Sequence, residues 1–337
     1  MAPMADVTDS AFRQIICDTG KPDVLYTEFV SCDGLCHVME ATPADAKAMA
    51  GKAKLMPHLQ FKENERPIVA QFFGSKPENF YKCAQLAVKL GFDGIDINMG
   101  CPSGKIVKHD SGAGLIRNPE LAKEIIQETK RGAPNLPVSV KTRIGYNKII
   151  TEEWIARLIE AKPSAIIVHG RTMKEMSKVH AHWDEIGKAG VLCRKAGIPI
   201  IGNGDVMTYV EGLEKAKQYD LDGIMVGRGI FYNPWFFDPS IDPTTKTPAE
   251  KIKLLIKHVE LFVGLWGSEK HFDVMKKFFK IYISGPRSAG DFDPATPNDS
   301  AIVNEASWEG AKGLRIKLMG AKNSSQVEKI LKGVDIS

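Results

Sequence analysis

Seven short runs of apolar, largely β-branched residues punctuate the chain up to Phe237, and stretches with helical spacing lie between them. They read DVLY (23–26), PIVAQ (67–71), GIDIN (94–98), PVSVKT (137–142), AIIVHG (165–170), IPIIGN (198–203) and DGIMVG (222–227). The runs are nearly continuous instead of alternating, which is the pattern of parallel strands buried on both faces. Ser75-Lys76-Pro77-Glu78 has the form of a capping box with an early proline, and Phe80, Ala84, Ala87 and Val88 follow at helical spacing up to Gly91. Asn118-Pro119-Glu120 opens another helix, with Leu121 and Ile125 on one face and Gly132 closing it. MAPM at the N-terminus reads as the end of an eighth strand whose beginning is missing. Eight β/α units predict an α/β fold of the (β/α)8 TIM-barrel type. No G-x-G-x-x-G follows the first strand, which disfavours a Rossmann sheet.

Beyond Phe237 the character changes. DPSIDPTTKTP is a proline-rich polar linker, and no strand pattern returns after it. The predicted division is a barrel over 1–237, a linker over 238–248 and a small C-terminal α-helical domain over 249–337. One helix runs from Ala249 to Trp266, alternating Lys251, Lys253 and Lys257 with Ile252, Leu255, Ile256 and Val259. Another, near Val274 to Ile283, sets Lys276, Lys277 and Lys280 beside Phe278, Phe279 and Tyr282. A polar stretch from Gly290 to Asn304 reads as an inserted loop, and a last helical piece covers Leu314 to Leu331.

No run of eighteen uncharged apolar residues is present, so no transmembrane helix is expected. Asp6 and Asp9 arrive too early for a signal peptide, and a cytoplasmic monomer is the expectation. Six cysteines in a chain of 337 residues do not make a disulfide framework. Cys32, Cys36 and His37 lie close together, but no second Cys or His pair completes a zinc spacing, so no metal site is expected. The net charge of +4 permits a polyanionic partner without requiring one.

In a (β/α)8 barrel the active site lies at the C-terminal ends of the strands. Those ends carry Gln71, Asn98 and Cys101, Lys141 and Arg143, His169 and Arg171, Asn203 and Asp205, and Gly227 and Arg228. Polar groups at the end of strand after strand are costly when buried unpaired, so their convergence points to a ligand. GNGD and VGRG, after the last two strands, are glycine-rich turns at the usual phosphate position of this fold, with Arg228 able to add a charge-assisted contact. Lys141 ends an apolar strand and needs an anionic partner. Either the N1/O2 edge of a reduced flavin or the carboxylate of Asp96 would serve.

Taken together, MAPMADVTD, QFFG, DINMGCPSGKIVKHDSGAGLI, VKTRIG, VHGRT, GNGD and VGRGIFYNPW resemble the tRNA-dihydrouridine synthases. The similarity continues more loosely through FFKIYISG and LRIKLMGAKNSSQVEKIL. The resemblance implies an FMN-dependent enzyme that reduces uridine in tRNA with NADPH. It implies that Pro3, Met4 and Ala5 form the first flavin-contacting turn, that Gln71 hydrogen-bonds the ring and that Lys141 approaches its N1/O2 side. His169 would neighbour the flavin, and Asn203, Gly204, Asp205, Gly227 and Arg228 would belong to its phosphate end. Cys101 falls on the catalytic cysteine and Asn98 on the asparagine before it; Asn98, Arg143 and Arg171 are the expected substrate contacts.

Reducing the uracil 5,6 double bond needs a hydride at C6, which flavin N5 would supply, and a proton at C5. A thiol with an ordinary pKa of about 8.5 is mostly protonated at neutral pH, so Cys101 suits the second role. The lysine-bearing C-terminal helices, with Arg287, Arg315 and Lys317, are the expected tRNA contacts. Between Arg171 and Trp183 the chain reads SKVHAHW, with Ser177 and Val179 where the family has an aromatic and a glycine. Asn-x-x-Cys-Pro also occurs in dihydroorotate dehydrogenases, so an enzyme acting on a free pyrimidine is one alternative; a non-catalytic tRNA-binding protein is another.

Overall fold

The computed structural model describes residues 1–42, 45–283 and 310–334. The expected insert at Gly290 to Asn304, and Arg287, lie outside the described residues. Its strands are β1 (Leu25–Tyr26), β2 (Val30–Ser31), β3 (Ile68–Phe73), β4 (Gly94–Met99), β5 (Val138–Arg143), β6 (Ala165–His169), β7 (Ile200–Asn203) and β8 (Gly223–Met225). The helices up to the linker are α1 (Ser10–Thr19), α2 (Cys32–Glu40), α3 (Ala46–Leu55), α4 (Pro77–Leu90), α5 (Gly104–Val107), α6 (Pro119–Gly132), α7 (Thr151–Glu160), α8 (Trp183–Lys195) and α9 (Tyr209–Gln218).

The strands pair in parallel in the order β1-β3-β4-β5-β6-β7-β8, with β2 added to the upper end of β3. The predicted eighth strand is not a regular strand. Its place is nevertheless filled: the Ala2 N–H donates to the Val226 carbonyl (2.7 Å) and the Met1 amino group to the Val24 carbonyl (3.1 Å). The N-terminal residues therefore bridge β8 to β1 and complete the (β/α)8 barrel.

Alternation along the strands separates two cores. One set of apolar residues, including Ile68, Ala70, Ile95, Ile97 and Val140, packs outward in the layer shared with the helices. The other set points into the lumen, where Ala2, Tyr26, Ile167 and Met225 pack with Val24, Val69 and Ile201. This second cluster plugs the barrel floor, so that a cavity can open only above it.

Three local expectations shift. Helix α4 starts at Pro77 with Lys76 as the N-cap and no side-chain cap, because proline favours the first helical position and moves the cap past Ser75. Gly91 ends it in the left-handed conformation (φ 77°) as expected, while Val88 lies exposed. Gly132 is the last residue of α6, but its reason is packing. A Cβ there would sit 2.4 Å from the Tyr81 carbonyl of α4.

The C-terminal part begins with α10 (Pro248–Trp266), opened by a capping box of Thr247 and Glu250. It lies along α1, where the Trp266 indole N–H donates to Asp9 (2.7 Å) and Phe12 packs against His258. α11 (Lys276–Tyr282) follows, and then, in place of one terminal helical piece, α12 (Ala311–Gly320) and α13 (Ser324–Lys332). Asn323 breaks that piece in two by accepting the Gln326 N–H as the cap of a new helix.

Candidate active site

At the C-terminal end of the barrel a cavity of about 310 Å³ opens. Most of the predicted residues meet on its wall: Pro3, Met4, Asn98, Cys101, Lys141, Arg143, His169, Arg171, Asn203, Gly204, Asp205, Gly227 and Arg228. Two do not. Ala5 is exposed beyond the turn, and Ala2 takes its place on the wall because the N-terminal residues run up the β1–β8 seam. Gln71 is completely buried beneath the wall, where hydrogen bonds to residues of the next strand hold its amide.

The strand register explains that placement. Gln71 pairs with Asp96, and Asp96 with Ser139, so three polar side chains form one row across β3, β4 and β5. Ser139 donates to Asp96 Oδ1 (2.6 Å) and Gln71 Nε2 donates to Asp96 Oδ2 (2.7 Å). Asn98, one step up β4, donates from Nδ2 to Gln71 Oε1 (3.0 Å). Its Oδ1 accepts the N–H groups of Gly100 (3.1 Å) and Cys101 (2.9 Å). The turn that carries the cysteine is thus tied to the barrel floor. Burial lifts the Asp96 carboxyl to about 6, against the pull of Ser139, Gln71 and Lys141.

Cys101 sits just past β4, where Gly100 and Pro102 turn the chain, and Arg143 Nε donates to the Gly100 carbonyl (2.7 Å) from the neighbouring strand. Gly112, at φ 57°, lies against this turn: a Cβ there would come within 2.9 Å of the Cys101 carbonyl. Burial raises the Cys101 thiol above its ordinary value, outweighing the Ser103 N–H and the nearby Arg143 and Lys141. At neutral pH the sulfur carries its proton.

Lys141 donates its hydrogen bond to neither partner that the sequence offered, although the Asp96 carboxylate acts on it through space. Its Nζ donates to Asn203 Oδ1 (3.1 Å), and Asn203 donates in turn to the Met225 carbonyl (2.8 Å). Both Asp96 oxygens are taken by Ser139 and Gln71. Burial, followed by the neighbouring Arg143, lowers the lysine to about 8.

His169 is half-buried on the cavity wall among Arg143, Lys141, Arg171 and Arg228, and desolvation first, then these cations, keep its ring neutral. Arg171 faces its Nε2 (3.1 Å), so the imidazole accepts there and holds its proton on Nδ1. The second end of the Arg171 guanidinium pairs with Asp205, whose other oxygen meets Arg228 (3.0 Å). Gly204 (φ 138°) allows this approach, since a Cβ would strike Ala181 at 2.6 Å.

Phe29, Met176 and Ser177 also line the mouth. Sequence reasoning passed over Phe29 and Met176, whose neighbours carry no strand-end pattern. Ser177 lies in the SKVHAHW segment, and Arg171 binds the Val179 carbonyl of that segment (2.6 Å). Asp96 entered only as a partner for Lys141; its place in an all-polar row of the register was the available signal.

A family model described as Dihydrouridine synthase (Dus) matches residues 1–296. A probable tRNA-dihydrouridine synthase of Staphylococcus aureus (strain COL) is 40% identical over 308 residues, covering 90% of this chain and 89% of the relative. The probable tRNA-dihydrouridine synthase 2 of Bacillus subtilis (strain 168) is 40% identical over 296 residues, with 86% of each chain covered. Among solved structures, histamine dehydrogenase from Rhizobium sp. 4-9 is similar over 75% of this chain and 46% of its own, with a TM-score of 0.49 and 12% identity.

Proposed function

The chain belongs to the dihydrouridine synthase family, and we propose from that premise that the cavity is where a uridine of tRNA is reduced to 5,6-dihydrouridine, with Cys101 as the proton donor. The observation that carries the assignment is the placement of Cys101 on the wall that also holds Lys141, His169 and Asn98, and the upward shift of its thiol by burial agrees with it. The names of the relatives favour tRNA over a free pyrimidine as substrate.

A flavin is the family's cofactor, and the residues present fit one. The Lys141 ammonium, bonded to a neutral amide, has charge to offer an electron-rich ring edge. Gly227, with no Cβ, leaves space toward Ala2 and Met4, and Arg228 stands beside it for a phosphate. FMN as the flavin and NADPH as the reductant are the specific forms we assign. When bound, the flavin supplies the hydride. The protein holds Pro3 and Met4 against the cofactor, keeps His169 neutral beside it, and presents the Cys101 proton at Sγ to the uracil C5. Asn98, Arg143 and Arg171 line the space left for the base.

A base buried in folded tRNA must be unstacked at a cost of a few kcal/mol, so interactions with the rest of the tRNA have to offset it. We assign part of that role to residues 249–337 and add the barrel rim. In the helical part Lys257 pairs with Asp18, Lys276 with Asp273, and Lys251 and Arg315 are buried. At the rim, Lys105, Lys108, Lys174 and Lys178 are exposed, and none has an ion pair among the described residues. Among the described residues no helix is long and apolar enough to cross a membrane, and we place the enzyme in the cytoplasm as a monomer.

The test is Cys101→Ala. The purified variant keeps its yellow flavin, and dihydrouridine formation in unmodified tRNA falls by about 10²–10⁴. Turnover equal to the wild type removes Cys101 as the acid. A colourless wild-type protein that takes up no FMN removes the flavin assignment.

A further inference from the structure

We propose that Asp96 is a positioning residue: its carboxylate sets the direction of the Gln71–Asn98 amide relay, so that Asn98 presents an acceptor to the backbone that carries Cys101. The proposal rests on the reading of Cys101 as the proton donor.

The relay joins two ends that differ in chemistry. At the upper end stand the N–H groups of Gly100 and Cys101, which can only donate. Asn98 must therefore turn Oδ1 upward, which leaves Nδ2 facing Gln71. Gln71 must then accept through Oε1 and donate through Nε2, and the group below it has to accept. An amide placed there could satisfy either direction, because it carries a donor and an acceptor. The two upper N–H groups favour one direction whatever lies below, and an ionised carboxylate, which only accepts, locks the lower end in the same sense, so that reversal leaves groups unpaired at both ends. Ser139 donates to the second oxygen and so strengthens the acceptor-only character.

Reversal has a local consequence. With Gln71 flipped, Asn98 would receive a donor from below and turn its own Nδ2 toward two N–H groups. Both would be left without a partner in a turn that Arg143 and Gly112 hold from either side. The turn would loosen, and the thiol would leave its place. Asp96 touches neither the cavity wall nor the thiol; it reaches Cys101 through Gln71 and Asn98, and acts separately, through space, on the charge of Lys141, which is why the alkylation of Cys101 and not turnover alone reads the relay.

The test uses D96N and the double variant D96N/Q71E, which moves the carboxylate one position along the relay. In the double variant the glutamate at position 71 accepts from both neighbours, and Asn98 keeps its direction. Alkylation of Cys101 by iodoacetamide in flavin-free protein, read by peptide mass with the half-buried Cys17 as internal reference, reports on the turn. We expect D96N to raise the Cys101 rate about tenfold and to lower turnover about 10- to 100-fold, and the double variant to recover at least tenfold in both. Unchanged alkylation in D96N, or a double variant no better than the single, overturns the relay. Altered alkylation with unaltered turnover supports the relay and overturns the reading of Cys101 as the acid. Should D96N not fold, the double variant decides alone: wild-type alkylation supports the relay and an unfolded chain overturns it.

Discussion

Lys141→Met should stabilise the flavin-free protein at neutral pH while weakening its hold on the cofactor. Lys141 lies near the end of β5 on the cavity wall, its ammonium bonded among the described residues only to the Asn203 amide, and burial lowers it from 10.5 to about 8. A lysine held below its unfolded value favours the neutral form, so the folded state carries a penalty whenever it must hold the charge. That penalty is complete below about pH 8, fades as the pH rises, and is gone above the unfolded value near 10.5. At 1.36 kcal/mol per pH unit the difference has an upper limit of about 3 kcal/mol, and the solvent left in the cavity reduces it to about 1–2. Methionine keeps the length of the side chain and removes the charge. Urea unfolding at pH 7 should show the variant about 1–2 kcal/mol more stable than the wild type, with the gain gone at pH 10.5. FMN titration of the same variant should show binding weakened about 10- to 100-fold, the worth of one charge-assisted hydrogen bond. A variant destabilised equally at both pH values refutes the argument, because the penalty would then not be electrostatic. Undiminished FMN affinity refutes the assignment of Lys141 to the flavin.

Gly132→Ala, ordinarily a gain in a helix, should here cost about 1–3 kcal/mol in denaturant unfolding, since its Cβ falls 2.4 Å from the Tyr81 carbonyl. Affinity for tRNA should fall with salt, and replacing Lys105, Lys108, Lys174 and Lys178 by glutamine should reduce the log–log slope by roughly 0.7–0.9 for each phosphate that is no longer neutralised. The same change at Lys257, already paired with Asp18, should reduce it less.

The barrel was legible because burial on both faces leaves a local mark. A parallel strand covered by helices needs β-branched residues without a polar face, and all seven such runs became strands or strand ends. The site residues were legible for the complementary reason: Asn98, Lys141, His169 and Asn203 interrupt apolar runs at the strand ends, where an unpaired polar group is costly. Cap positions and helix breaks were less so. Pro77 and Ser75 both offered a start for α4, and only the geometry of the first turn chose between them. Gly132 looked like a terminator because glycine serves close packing as well as chain reversal.

Partner choice belonged to the tertiary structure. That Lys141 meets Asn203 instead of Asp96, and that Asp205 is shared by Arg171 and Arg228, depends on neighbours brought in by strand register. Gln71 lies beneath the cavity wall against Asn98 because the pairing of β3 with β4 sets it beside Asp96. Lysines that look alike in the chain separated by their surroundings: Lys251 is buried and Lys257 and Lys276 are paired, while Lys253 and Lys317 on the helices and Lys105, Lys108, Lys174 and Lys178 at the rim face solvent. By itself the sequence determined which apolar runs form the strands, where those strands end and which chemistry stands at those ends, since periodicity and side-chain type carry that information locally. Only the folded barrel decided which donor meets which acceptor, because hydrogen bonds and ion pairs are made at about 3 Å between residues far apart in the chain.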